Sequence, residues 1–254
     1  MVRIAAVGDV HFGPDLSGTL RPYMQEIEDK ADLFLIAGDL TRAGHEEEGA
    51  ALAKELRGFS VPILAVLGNH DYHLDHQDRI AKQLGDAGVV VLEGESTVLM
   101  VGDRSVGIAG VKGFGGGFAG ACGSDFGEPE MKAFVGHTKS VARRLEDSLR
   151  SLQTDLKIAL LHYSPIKGTL LGERLEVYPF LGSYLLAEAI DSGGDVDLVL
   201  HGHAHSGKEK GLTPGGVNVR NVAQPVIKHA FNLYHLDPAG TGSIDRGPGF
   251  TARV

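Results

Sequence analysis

Tryptophan is absent from the 254 residues, and cysteine occurs once, at Cys122. A single thiol excludes an internal disulfide and suits a reducing compartment. In its glycine-rich surroundings Cys122 reads as a free thiol. Positive charge is scarce: 24 Lys and Arg against 33 Asp and Glu give a formal charge of −9, with no block of basic residues. That balance offers no broad footprint for duplex DNA or RNA, so extended nucleic acid is not expected as a partner. Long apolar runs are missing too. None approaches the roughly 18 residues of a membrane span, so no membrane partner is expected. The apolar stretch in MVRIAAVGDVHFG is too short for a signal peptide and lacks a small-residue cleavage site before the first motif. The chain is therefore expected to be soluble and cytoplasmic, and no feature encodes an oligomeric state. No repeat, low-complexity tract or linker interrupts it, and residues 1–254 are expected to form one domain.

What is present begins with an alternation of apolar runs and amphipathic segments. Val2–Val7, Leu33–Ala37 and Ile63–Leu67 read as buried strands of a mainly parallel sheet, with helices over about 17–30 and 43–57 between them. Strand, helix, strand at this spacing is the βαβ unit of an α/β protein. A helix over 75–86 leads to a strand at Val89–Leu92. Thr97–Val101 and Ser105–Ala109 follow as a hairpin around Gly102-Asp103-Arg104. Gly110–Gly127 is too poor in periodicity for regular structure. Pro129–Arg150 reads as a long helix with proline in its first turn. Strands at Lys157–Leu161, Asp197–Leu200, Val217–Val222 and Ala230–Leu236, with a helix over 182–191, complete the pattern.

The polar residues at the ends of these runs carry the chemistry. Gly8-Asp9-Val10-His11, Gly38-Asp39, Gly68-Asn69-His70-Asp71, His162 and Gly202-His203-Ala204-His205 each follow an apolar stretch. The carboxyl ends of strands in an open α/β sheet share one edge, where ligands bind, so five clusters placed alike are expected to converge. Glycines beside them are expected to let the backbone turn sharply. Asp9, Asp39, Asn69, His11, His162, His203 and His205 offer two carboxylates, an amide oxygen and four imidazoles. This mixed oxygen and nitrogen set suits Mn, Fe, Zn, Co or Ni. Seven donors exceed one ordinary site and suit two divalent transition-metal ions, which a carboxylate can bridge. A pair about 3.5–4 Å apart clamps the attacking and leaving oxygens of a displacement at phosphorus.

The ordered blocks D-x-H, GD, GNHD, H and GHxH, running from Asp9 to His205, resemble the calcineurin-like metallophosphoesterases of small bacterial and archaeal type. The resemblance implies a four-layer α/β/β/α sandwich. It implies that Asp9, His11 and His205 hold one metal, that Asn69, His162 and His203 hold the other, and that Asp39 bridges them. It further implies a phosphomonoesterase or phosphodiesterase in which a metal-bridging hydroxide attacks in line. Mn²⁺ is the ion expected to support activity in vitro. His70 is expected to give a proton or hydrogen bond at the phosphate and leaving oxygen, oriented by Asp71. The substrate would be a small phosphate ester. Protein phosphatases of this superfamily carry GDxVDRG at the second block, from which Gly38-Asp39-Leu40-Thr41-Arg42-Ala43-Gly44 departs. The alternative is a catalytically silent scaffold of the same fold that binds proteins. Such members lose ligands or the GNH histidine, and here every position is filled.

Other features are weaker. Lys112, Lys167 and Arg174 are the nearest candidates for meeting an anionic substrate. His45, His76, His137, His229 and His235 read as solvated or satisfied histidines; so does His73, although its place just after GNHDY makes lining the site the alternative for it alone. The Gly113–Phe118 run does not open a helix after a strand, so it is not a dinucleotide-binding loop. Tyr178-Pro179-Phe180 is expected to pack as core.

Overall fold

The central strands are apolar on both faces, and strict alternation sends each face to a different layer. The computed structural model describes residues 1–118, 120–237 and 244–249. In chain order the elements are β1 (Val2–Val7), α1 (Arg21–Lys30), β2 (Leu33–Ala37), α2 (Glu46–Leu56), β3 (Ile63–Val66), α3 (Gln77–Gly85), β4 (Val89–Val91), β5 (Glu95–Val101) and β6 (Arg104–Val111). There follow β7 (Gly117–Phe118), β8 (Ala121–Cys122), α4 (Pro129–Ser151), β9 (Leu156–Leu161), α5 (Tyr178–Leu181), α6 (Tyr184–Ser192) and β10 (Leu198–His201). The chain closes with β11 (Lys210–Leu212), β12 (Asn218–Asn221), α7 (Gln224–Ile227), β13 (Asn232–Leu236) and β14 (Ile244–Arg246).

Two sheets form. The first has the order β14-β13-β1-β2-β3-β4 and the second β11-β12-β10-β9-β6-β5. Strands β1 to β4 are mutually parallel, as are β12, β10, β9 and β6; antiparallel strands finish the margins. Val2, Ile4 and Ala6 of β1 and Leu33, Leu35 and Ala37 of β2 face inward. There they meet Ile108 of β6, Ile158 and Leu160 of β9, and Leu198 and Leu200 of β10. The opposite face of the first sheet packs on Met24 and Ile27 of α1, Leu52 and Leu56 of α2, and Ile80 and Leu84 of α3. The second sheet's outer face packs on Leu145 and Leu149 of α4 and on Leu186 and Ile190 of α6. Each fully buried Leu or Ile is worth about 1.5–3 kcal/mol. The result is the four-layer α/β/β/α sandwich expected from the sequence.

Boundaries shift where local chemistry intervenes. Helix α1 starts at Arg21 rather than near Ser17, because Pro22 sets the first turn and Pro14–Leu16 makes a separate 3₁₀ turn. Helix α2 starts at Glu46, where Glu48 reaches back to the backbone N–H of His45. The glycine-rich stretch is not wholly irregular: β6 runs through Val111, and Gly117–Phe118 pairs with Ala121–Cys122. No helix among the described residues is long and apolar enough to cross a membrane.

Candidate metal centre

The parallel strands of each sheet end at one edge of the sandwich, and the turns beyond them interlock. Gly8 N–H donates to the Val222 carbonyl, Asp9 N–H to Gly38 and His11 N–H to Asp39. From the second sheet, Gly202 N–H donates to the His162 carbonyl. The His203 N–H reaches the Asp9 carboxylate, at 3.0 and 2.9 Å from its two oxygens. This last bond joins the two sheets.

The side chains follow. Asp9, His11, Asp39 and His205 each present one ligand atom within 4.8 Å of the others. Asp39, His162 and His203 do the same, so Asp39 belongs to both groups. Asn69 joins the second group, its Oδ1 2.9 Å from His162 Nε2. The seven residues singled out from the sequence as donors therefore meet in one cluster. His70 borders it, its Nε2 3.8 Å from Asp39 Oδ2 and its ring 4.5 Å from that of His11.

Hydrogen bonds set the tautomers. A carbonyl can only accept, so His162 Nδ1–H donates to Ala37 O at 2.9 Å. Its Nε2 lone pair is then left 3.3 Å from Asp39 Oδ1. An imidazole lone pair aimed at a carboxylate oxygen is an arrangement that a cation between them completes. His203 Nε2–H likewise donates to Phe180 O at 3.2 Å, which leaves the lone pair on Nδ1. Burial pushes His11 down to about 4, His203 down to about 3 and His162 well below its free value. These three rings are thus neutral donors at physiological pH. Asp9 is raised to about 6 by burial, opposed by its bond from His205 at 2.8 Å. His205 is raised, chiefly by that same bond.

Asp71 does not do what the sequence suggested. Its buried carboxylate accepts from Leu40 N, Thr41 N, Thr41 Oγ1 and Gly68 N at 2.6–3.1 Å. His70 is held instead by the Arg42 carbonyl, 2.6 Å from Nδ1. The two residues are neighbours in a single 3₁₀ turn, His70–Tyr72, and project to different sides. Asp71 ties the turn after β2 to the turn after β3, and burial raises it to about 6 against the bonds from Gly68 and Thr41 that lower it.

His73 is exposed and its side chain makes no hydrogen bond or ring contact among the described residues, as a solvated histidine would. Lys167 and Arg174 are exposed, whereas Lys112 is buried beside the cluster. The Tyr178–Phe180 segment is divided. Tyr178 packs near Phe118, Leu170 and Ala204, but the Phe180 side chain is exposed while its carbonyl positions His203. His201 went unnoticed in the sequence: fully buried, it bonds Thr169 Oγ1 at 2.9 Å and the Gly202 carbonyl at 2.8 Å, and so supports the turn that carries His203. Its odd position before G-H-A-H was the available signal.

Known proteins resemble this chain in part of its sequence and in its fold. A stretch of 79 residues is 34% identical to a probable cyclic nucleotide phosphodiesterase from Moraxella catarrhalis, and it covers 29% of this chain and 28% of that relative. The phosphopantetheinyl hydrolase of Mycobacterium tuberculosis superposes with a TM-score of 0.59 at 15% identity, covering 87% of this chain and 88% of its own. A hypothetical protein from Thermus thermophilus does so with a TM-score of 0.57 at 17% identity, covering 97% and 100%. At such identities the likeness is one of fold. The pattern of the calcineurin-like phosphoesterases matches residues 2–207, and the chain belongs to that family.

Proposed function

We propose that this protein hydrolyses a small organic phosphate ester, monoester or diester, using two divalent metal ions. One would be held by Asp9, His11 and His205, the other by Asn69, His162 and His203, with Asp39 between them. The observation that carries this reading is the pair of donor groups overlapping at Asp39. A pair of divalent cations supplies an activated water and neutralises charge on the phosphoryl oxygens. The chain's own residues do the rest. Asp71 holds the turns bearing Asp39 and Asn69 in register. His70 Nδ1–H donates to the Arg42 carbonyl, which fixes the ring and leaves Nε2 facing the cluster; with a second proton on Nε2, as the imidazolium, it would deliver that proton to the departing oxygen.

The test uses purified protein with Mn²⁺ on p-nitrophenyl phosphate and bis-p-nitrophenyl phosphate. Turnover is expected to require metal, to vanish in Asp39→Ala and to fall roughly 10²–10⁴-fold in His70→Ala with metal content unchanged. Robust turnover by metal-stripped protein or by Asp39→Ala would refute the reading. Two bound metals without turnover of any phosphate ester would favour the silent scaffold.

A further inference from the structure

We propose that Lys112 is the substrate-anion contact of this site and the residue that favours a phosphomonoester dianion over a diester. The proposal rests on the function just described. Lys112 follows β6 at the same edge where β9 delivers His162, and its carbonyl accepts from the N–H groups of both His162 and Tyr163, each at 3.0 Å. The main chain of the lysine is thus tied to the metal-site strand.

The residue is 8% exposed. The ammonium lies 4.6 Å from the ring centre of Tyr72, 5.2 Å from Phe114 and 5.5 Å from Tyr163. No carboxylate or hydrogen-bond acceptor pairs with Nζ among the described residues. Glu93 and Asp39 are the acids whose charge reaches Lys112, but neither pairs with Nζ directly, and the Glu93 carboxylate is shared with Arg144 at 3.4 Å and the Tyr72 hydroxyl at 3.5 Å. A buried ammonium without a hydrogen-bond acceptor in reach is costly, and three ring faces and two more distant carboxylates offset only part of that cost. The rings also say where the missing partner belongs. Tyr72 lies two residues after His70, and the Tyr163 ring is 4.4 Å from that of His203. The cation is held at the wall of the donor cluster, where a phosphoryl oxygen would complete its coordination.

Charge then selects the substrate. Two dications, the carboxylates of Asp9 and Asp39, and a water that has given up a proton leave a single positive charge, which a diester monoanion cancels. Lys112 adds a second, which matches a monoester with both phosphate protons lost.

The experiment compares the Mn²⁺-loaded wild type with Lys112→Met and Lys112→Arg by calorimetric titration with orthophosphate, by kcat/KM on the two nitrophenyl esters, and by metal content. In Lys112→Met, orthophosphate binding and monoester kcat/KM are expected to fall roughly 10–100-fold, the diester no more than about threefold, with metal content unchanged. Lys112→Arg should recover most of the phosphate affinity. Unchanged orthophosphate affinity in Lys112→Met, or equal losses on both esters, would overturn the assignment. If Lys112→Met fails to fold, Lys112→Gln replaces it with the same criteria. A wild type that hydrolyses neither ester defeats the functional reading, whereas the orthophosphate titration still decides the role of Lys112.

Discussion

Four of the proposed ligands hold backbone torsions that side chains disfavour: φ is 57° at Asp9, 43° at His11, 48° at Asp39 and 69° at His203. Such residues cost on the order of 1 kcal/mol or more each and persist only where the surroundings over-determine them. Here the interlocked hydrogen bonds of the strand-end turns do so. The sequence suggested that the motif glycines take the sharp bends. At Gly68 and Gly202 the need is for space instead: an added Cβ would overlap Asp39 Oδ1 in the first case and Asp9 Oδ2 in the second. Gly202→Ala is therefore expected to displace the Asp9 carboxylate and cut bound metal by about half, with roughly 10²-fold loss of turnover from misplacement. Full metal occupancy and normal turnover in that variant would count against the packing argument.

At the scale of elements, the segments that border the site are held by few bonds. Helix α4 fixes the glycine-rich stretch through Thr138, whose Oγ1 donates to the Gly115 carbonyl at 2.7 Å. Gly116 and Gly117 in turn donate to the Pro179 and Gly182 carbonyls, and the same segment offers the Phe180 carbonyl to His203. Thr138→Val leaves the Gly115 carbonyl without that donor, at a cost of about 1–3 kcal/mol. A lower Tm with unchanged metal content is the expected result; an unchanged Tm would show that the contact contributes nothing. These links explain what the sequence could and could not reveal. Strands β1 and β2 were readable to the residue because apolar runs, broken only by Arg3 in β1, lie between polar turns. The seven proposed donors, which the structure gathers into one cluster, stood out because each lies just beyond such a run. The two-residue strands β7 and β8, the three-residue β11 and the short helices α5 and α7 carry no periodic signal. Only tertiary pairing defines them. The partner of Asp71 was unreadable for the same reason, since Thr41 and Gly68 are brought to it by neighbouring strands.

For the whole molecule, buried titrating groups govern how the metal-free chain meets acid. Burial lowers His11 and His201 to about 4, His203 to about 3 and His162 well below its free value, while it raises Asp9 and Asp71 to about 6. The lowered imidazoles contribute stability that is complete above their unfolded value of about 6.5 and is lost as pH falls toward 4. The raised carboxylates act oppositely, contributing below their unfolded value near 3.9 and losing that contribution as pH rises through about 6. Four imidazoles outnumber two carboxylates, so near pH 5 the unfolded chain holds about two more protons and stability rises with pH by roughly 1–3 kcal/mol per unit. The Tm of EDTA-treated protein is expected to fall steadily from pH 7 to pH 4.5, and a flat or rising profile would contradict this balance. The bond from His203 to Asp9, between residues 194 positions apart, carries one more consequence. Donors drawn from both halves of the polypeptide can assemble only after the two sheets have docked in correct register. On the proposed assignment, a captured cation would therefore certify a finished fold, and a misfolded chain would be left empty-handed.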